Sequence, residues 1–167
     1  MKSQLLPEGF RDSLPDLAGK EFHISSEFLK LMERNGYFLI KPPLLEFESS
    51  LFFLTNDKDN IDSFRLLDPI SQKMMGIRPD ITLQVARIAC GSLHRSPRPL
   101  RLCYSGEILK AKNNGLNLSR QITQIGSEII VRGKKSSKYN QTSTPHAASH
   151  HAKNPSHLIV AILPSKT

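Results

Sequence analysis

Apolar positions recur at two spacings along the chain and divide it into elements. From about Asp16 to Asn35, the residues Leu17, Ile24, Phe28, Leu31 and Met32 share one stripe at helical spacing. Lys20, Glu27, Lys30 and Arg34 fall largely outside that stripe. Pro15 suits the first turn and Gly36 the position just past the last, so the pattern predicts one helix with a packing role. Before it, Leu5 to Pro15 is an irregular entry segment punctuated by Pro7, Gly9 and Pro15. After it, Tyr37 to Ile40 reads as a short strand running into Lys41-Pro42-Pro43, where two prolines forbid a long central strand. The next stretch concentrates Leu44, Leu45, Phe47, Leu51, Phe52, Phe53 and Leu54. That is more apolar surface than one small element buries alone, which predicts a share of core and a share of subunit contact.

Asn56 to Asp62 is polar and turn-like. Ser63–Asp68 and Lys73–Arg78 then predict a hairpin around the sequence PISQ. Arg78-Pro79-Asp80 leads into a helix over ITLQVARIACGSLH, with Ile81, Val85, Ile88 and Leu93 on its buried side and Gly91 weakening its last turn. Leu100 to Ile130 reads as two strands joined by a polar loop. In the second strand Gln124, Gly126 and Glu128 share one face, because side chains two apart point the same way. Gln124 and Glu128 stand about 13 Å apart along the backbone, and the glycine between them offers room for a small polar ligand. The succession of elements predicts an α+β fold, a mainly antiparallel sheet flanked by helices.

The character changes after Val131. Residues 132–167 contain no Asp or Glu and are rich in Ser, Thr, Asn and His, with no strand or helix period until the apolar run Leu158–Leu163. Such a composition buries too little apolar surface to offset its ordering entropy. The expected organisation is therefore a structured part, 1–131, and a basic, disordered tail, 132–167. The apolar run could dock on exposed core.

Charge refines this picture. The formal net charge of +8 in 167 residues is concentrated in the tail, where Arg132, Lys134, Lys135, Lys138, Lys153 and Lys166 stand without acids. The remainder carries 17 basic residues against 15 acidic ones, which weakens any nucleic-acid argument built on overall charge. A tail with one aromatic residue, Tyr139, also offers no stacking platform for bases. Cys90 and Cys103 lack CxxC spacing and read as small buried core residues in a reducing compartment, in preference to a disulfide. No apolar signal core is evident, and no run approaches the roughly 20 apolar residues that span a bilayer, so a soluble, cytoplasmic protein is expected.

Candidate chemistry gathers at three places. Asp80 and Thr82 sit at a strand-to-helix junction, where Asp80 suits a helix cap and, with Thr82, could also present acceptors to a ligand ammonium group. Gln124 and Glu128 form either a solvent-facing strip or a pair that requires a partner, since Ile122 and Ile130 flank them on the same face. Lys110 and Lys112 flank the loop and read as solvated charge or as a point-charge site for a carboxylate or phosphate. The histidines show no HxxxH or HExxH pattern, and His146, His150, His151 and His157 lie in the tail. No Gly-rich phosphate loop, nucleophile elbow or Cys-based zinc site is present, so neither cofactor nor metal is expected.

The segments LLPEGFRDSLP, GYFLIKPPLLEF, MGIRPDITLQVARIA, RLCYSGEILK and RQITQIGSEI resemble the class II aminoacyl-tRNA synthetase fold in its histidyl branch. Within that branch they are most similar to the regulatory-subunit family of ATP phosphoribosyltransferase, a histidyl-tRNA synthetase paralogue of histidine biosynthesis. The resemblance covers about residues 5–131. It implies a non-catalytic subunit that binds the catalytic subunit of ATP phosphoribosyltransferase and relays feedback by L-histidine. The assisted reaction joins ATP and phosphoribosyl pyrophosphate into phosphoribosyl-ATP, with all chemistry on the partner. GYFLIKPPLLEF matches the first class II motif, which implies a homodimer through the Tyr37–Leu54 region. By resemblance Asp80, Thr82 and Gln124 meet the α-amino group of histidine, Glu128 meets the imidazole, and Lys110 contacts the carboxylate.

Synthetases carry Arg and Glu for ATP where this chain has Lys110 and Lys112, so the adenine contact is lost and the regulatory role is favoured. The third class II motif and the later histidyl-specific segment, which close the opposite side of the pocket, are not found here. A truncated, impaired chain with an unrelated or frame-shifted tail is therefore expected. A histidyl-tRNA synthetase fragment and a basic nucleic-acid-binding protein are the alternatives.

Overall fold

A computed structural model describes residues 6–52, 62–112, 119–133 and 157–164, with side chains described up to residue 131. The first helix, α1 (Pro15–Arg34), begins with proline in its first turn and stops where expected. Gly36 takes φ +76°, its N–H reaches the Glu33 carbonyl at 2.9 Å, and the Tyr37 N–H reaches Met32 at 3.0 Å. These two bonds close the last turn around a left-handed residue that glycine adopts without strain. The apolar stripe is only partly covered. Ile24 and Leu31 are exposed, and no residue of α1 is fully buried. The helix lies against β1 and the larger sheet with Leu17, Ile24 and Leu31 outward and Phe28 and Met32 half-buried, so packing accounts for only part of the predicted stripe.

Two sheets follow. The smaller has three antiparallel strands in the order β2 (Leu45–Phe47), β4 (Met74–Ile77), β3 (Arg65–Leu67), and includes the predicted hairpin. A single-turn helix, α2 (Glu48–Leu51), buries Leu51, and Phe52 is buried directly after it. Leu44, Leu45 and Phe47 remain exposed, so the apolar stretch does divide between core and surface; Phe53 and Leu54 lie outside the described residues.

The larger sheet is mixed, in the order β1 (Phe38–Leu39), β5 (Leu100–Leu109), β6 (Gln121–Gly133), β7 (His157–Pro164). β5 and β6 pair antiparallel over ten registered positions, while β1 joins β5 and β7 joins β6 in parallel. Among the described residues three strand pairings are antiparallel and two parallel, so the sheets are mainly antiparallel. β7 contains the apolar run of the tail, and residues 134–156 lie outside the described part.

One face of the β5–β6 pair packs on α3 (Thr82–Cys90). Ile81, Val85 and Ala89 meet Leu100, Leu102, Tyr104, Ile108 and Ile130 to form the core. Ile88 and Leu93 are only half-buried beside it. Cys103 is buried as expected. Cys90, at the last turn of α3, is exposed because it points away from the sheet face that Val85 and Ala89 cover, and no disulfide joins the two.

Candidate functional site

The site lies where the start of α3 meets β6. Antiparallel register sets Leu102 opposite Glu128, Tyr104 opposite Gly126 and Gly106 opposite Gln124, all on the core-facing side. Glu128 is 0 % exposed, which rules out a solvent-facing position for it, while Gln124 is half-buried.

Asp80 works one residue ahead of a helix cap. Its Oδ1 accepts the Thr82 N–H at 2.9 Å and the Gln124 Nε2–H at 2.8 Å. Gln124 Oε1 in turn accepts the Ile81 N–H at 2.9 Å. Residue 81 occupies the cap position without a capping side chain, so the turn at 80–82 is held by a strand residue more than forty positions away. The capping reading of Asp80 is thus met in part, since it satisfies a backbone donor at the helix start, and the same carboxylate is wired to the strand that carries Glu128.

Glu128 has no such wiring. Neither carboxylate oxygen has a hydrogen-bond partner among the described residues. Burial pushes this carboxyl up to about 8, and the neighbouring Asp80 charge acts in the same direction. The hydroxyls of Thr82 and Tyr104 oppose the shift without completing a bond. A buried carboxyl without a partner is costly to keep, and its oxygens are available to a donor supplied from elsewhere.

The glycine gap predicted at position 126 is not open. The Tyr104 side chain lies across it, so a Cβ on residue 126 would fall 2.5 Å from Tyr104 Oη and 2.6 Å from Cζ. Tyr104 Oη stands 3.4 Å from Thr82 Oγ1, and burial raises its phenol well above the ordinary range. Tyr104 thus belongs to the site, although sequence spacing singled out only the glycine. An aromatic residue cross-strand from a glycine is the signal that could have found it, once register is known.

Lys110 is not drawn in. It follows the last residue of β5, where its backbone N–H and C=O are both engaged by Arg120, about 13 Å along the strand from the Gly106–Gln124 pair. Lys112 lies beyond, with its backbone N–H on the Asp62 carboxylate. Arg120 also donates to the carbonyls of Glu8 and Ala111 and lies over the rings of Phe10 and Phe64, which locks the entry segment against the root of the loop.

Sequence reasoning also missed a buried polar cluster beside the site. Arg78 donates to the carbonyls of Glu107 at 2.7 Å and Pro42 at 2.9 Å, and to Gln84 Oε1 at 3.4 Å. Its guanidinium lies so close over Gly106 that a Cβ there would be 2.4 Å from an arginine nitrogen. Gln84 donates to the Pro43 carbonyl at 2.8 Å and to Glu46 Oε1 at 2.9 Å, and Glu46 grips Arg87 with both oxygens. Among the described residues no cluster of His, Cys, Asp or Glu could hold a metal, and no helix is long and apolar enough to cross a membrane.

Comparison with known proteins fits this arrangement. The histidyl-tRNA synthetase family model matches residues 9–161. The chain belongs to the histidyl-tRNA synthetase family. Family relatives include the ATP phosphoribosyltransferase regulatory subunits of Rhodospirillum centenum and Rhodospirillum rubrum. The first is 48% identical over 126 residues, covering 75% of this chain and 33% of the relative. The second is 46% identical over 129 residues, covering 77% and 34%. The chain spans about a third of the length of the curated relatives it matches. Among solved structures, an ATP phosphoribosyltransferase regulatory subunit/histidyl-tRNA synthetase from Bacillus halodurans superposes with a TM-score of 0.65 at 27% identity, covering 77% of this chain and 33% of that one. Apo histidyl-tRNA synthetase from S. aureus shares the fold, with a TM-score of 0.57 at 23% identity over 73% of this chain and 28% of that one. The synthetase-like α+β fold of this family member is therefore the one expected from its sequence.

Proposed function

We propose that this chain acts in a regulatory subunit of ATP phosphoribosyltransferase and carries one wall of its L-histidine site. The observation that carries the reading is Glu128, a fully buried carboxyl with no partner among the described residues, adjoining the Asp80–Thr82–Gln124 cluster. An imidazole N–H offers Glu128 the donor it lacks, while Asp80 and Thr82 supply acceptors for an ammonium group. The names of the relatives support the regulatory role, with phosphoribosyl transfer performed by the catalytic partner subunit. Lys110, whose backbone is about 13 Å along the strand from the Gly106–Gln124 pair, is the weakest member of the set and is the residue proposed for the ligand carboxylate. Self-association through the Tyr37–Leu54 region is supported by the exposed Phe38, Leu39, Leu44, Leu45 and Phe47. Feedback then requires histidine to bind two states of the complex with different affinity.

Titration calorimetry with L-histidine tests the site. Saturable binding that Glu128→Gln weakens by about tenfold or more supports the reading, since a charge-assisted hydrogen bond is lost. No binding by the unmodified chain at millimolar histidine, or equal binding by the variant, overturns it.

A further inference from the structure

The polar cluster beside the site reaches Asp80 from β2, a segment outside the Asp80–Thr82–Gln124–Glu128 group. Glu46, in β2, is 9 % exposed; its Oε1 accepts from Gln84 Nε2, and both of its oxygens accept from Arg87. Gln84 is 1 % exposed and touches Arg78 through its other amide atom. Arg78 is fixed on every side. Its backbone N–H donates to Leu44, its carbonyl accepts from Leu109, and its side chain donates to Pro42 and Glu107. Pro79, whose ring restricts the backbone, is all that separates Arg78 from Asp80. Among the described residues Glu46 is the carboxylate hydrogen-bonded to this arginine-rich cluster, so replacing it with glutamine leaves one acceptor oxygen where there were two and removes the charged, bidentate partner of Arg87.

We propose that Glu46 is a positioning residue for the ligand site, acting through Gln84 and Arg78 to hold the turn that presents Asp80 and Thr82. The functional part of this proposal rests on the histidine reading above; the structural part does not. A displacement of the Pro42–Phe47 segment is then felt at Asp80, which gives a subunit contact on that segment a physical route to the site.

Two measurements on the full chain test it, with Glu46→Gln and Arg87→Lys as variants; the lysine keeps the charge but loses the two-pronged grip. Amide hydrogen exchange reads the turn directly. The Ile81 and Thr82 N–H groups, bonded to Gln124 and Asp80, are expected to exchange about tenfold faster in either variant, while Leu102 and Ile130 in the β5–β6 ladder keep their rates. Unchanged rates at 81 and 82 overturn the proposal, and so does equal acceleration at all four positions, which marks Glu46 as a general stabiliser. If Glu46→Gln does not fold, Arg87→Lys decides by the same criteria. Histidine affinity, measured alongside, is expected to fall about tenfold in both variants although both residues lie outside the Asp80–Thr82–Gln124–Glu128 group. Failure of the unmodified chain to bind histidine removes the histidine reading and leaves the exchange rates to decide the positioning role.

Discussion

Replacing Glu128 with glutamine removes a group whose titration is coupled to folding. In the unfolded chain this carboxyl loses its proton near its ordinary value of 4.5; in the folded chain it holds it until about 8. Between those values the folded state binds one proton more than the unfolded state, so stability falls as pH rises. The contribution is fully present below 4.5, declines through the window and levels off above about 8. The slope is about 1.4 kcal/mol per pH unit, which accumulates to about 3 kcal/mol at pH 7 and about 5 kcal/mol once the folded carboxyl is ionised. Glutamine keeps the shape and cannot ionise. Its amide also lacks partners here, which shifts stability by an amount independent of pH, so the slope and not the offset is diagnostic.

The assay is urea unfolding followed by far-ultraviolet circular dichroism, for both proteins, from about pH 4 to about pH 9. The stability of the glutamine variant minus that of the parent should climb steadily across the window. Parallel profiles would show that Glu128 titrates alike in both states, and would refute the claim that it is buried without a partner. A smaller climb in the presence of histidine is the corresponding expectation for a ligand that donates to the ionised carboxylate.

Two further outcomes follow from contacts around the site. Gly126→Ala should lose about 2 kcal/mol in the same unfolding assay, because its methyl group would fall on Tyr104; combining it with Tyr104→Leu should recover part of that loss, giving an interaction energy in a double-mutant cycle. Arg120→Ala should lose about 2 kcal/mol and expose the entry segment around Phe10 to limited proteolysis, since it removes donors to three carbonyls in two chain segments and the cation over two rings.

Local periodicity carried much of the fold. The stripe of α1, the buried side of α3 and the alternation in the hairpin and in β5–β6 are short-range patterns; α1 and the hairpin emerged within a residue or two of their expected bounds, whereas α3 stops at Cys90, four residues before the expected His94, and β6 runs three residues past Ile130. Gln124 and Glu128 were legible for the same reason, being two rungs apart on one face. What escaped depends on register and tertiary approach. Glycine at 126 reads as empty space until β5 is known to set Tyr104 against it. Arg78 reads as one more cation until the carbonyls of Pro42 and Glu107 are seen to converge on it from remote segments. The exposed Leu17, Ile24 and Leu31 of the α1 stripe show the converse: amphipathic spacing says which side of a helix is apolar, not whether anything covers it.

The two glycines of the β5–β6 face have a consequence for how these positions change over generations. Gly126 makes room for Tyr104 from the neighbouring strand, and Gly106, one rung along, makes room for Arg78 from outside the strand pair. Each glycine is the mould of a particular bulky side chain. A side chain arriving at 106 or 126 is tolerated only if 78 or 104 has already shrunk, and shrinking first leaves a void or strands the carbonyls of Pro42 and Glu107. Either order passes through a disfavoured intermediate, so each pair should drift together or not at all, and substitution libraries that vary one member alone should return few folded chains.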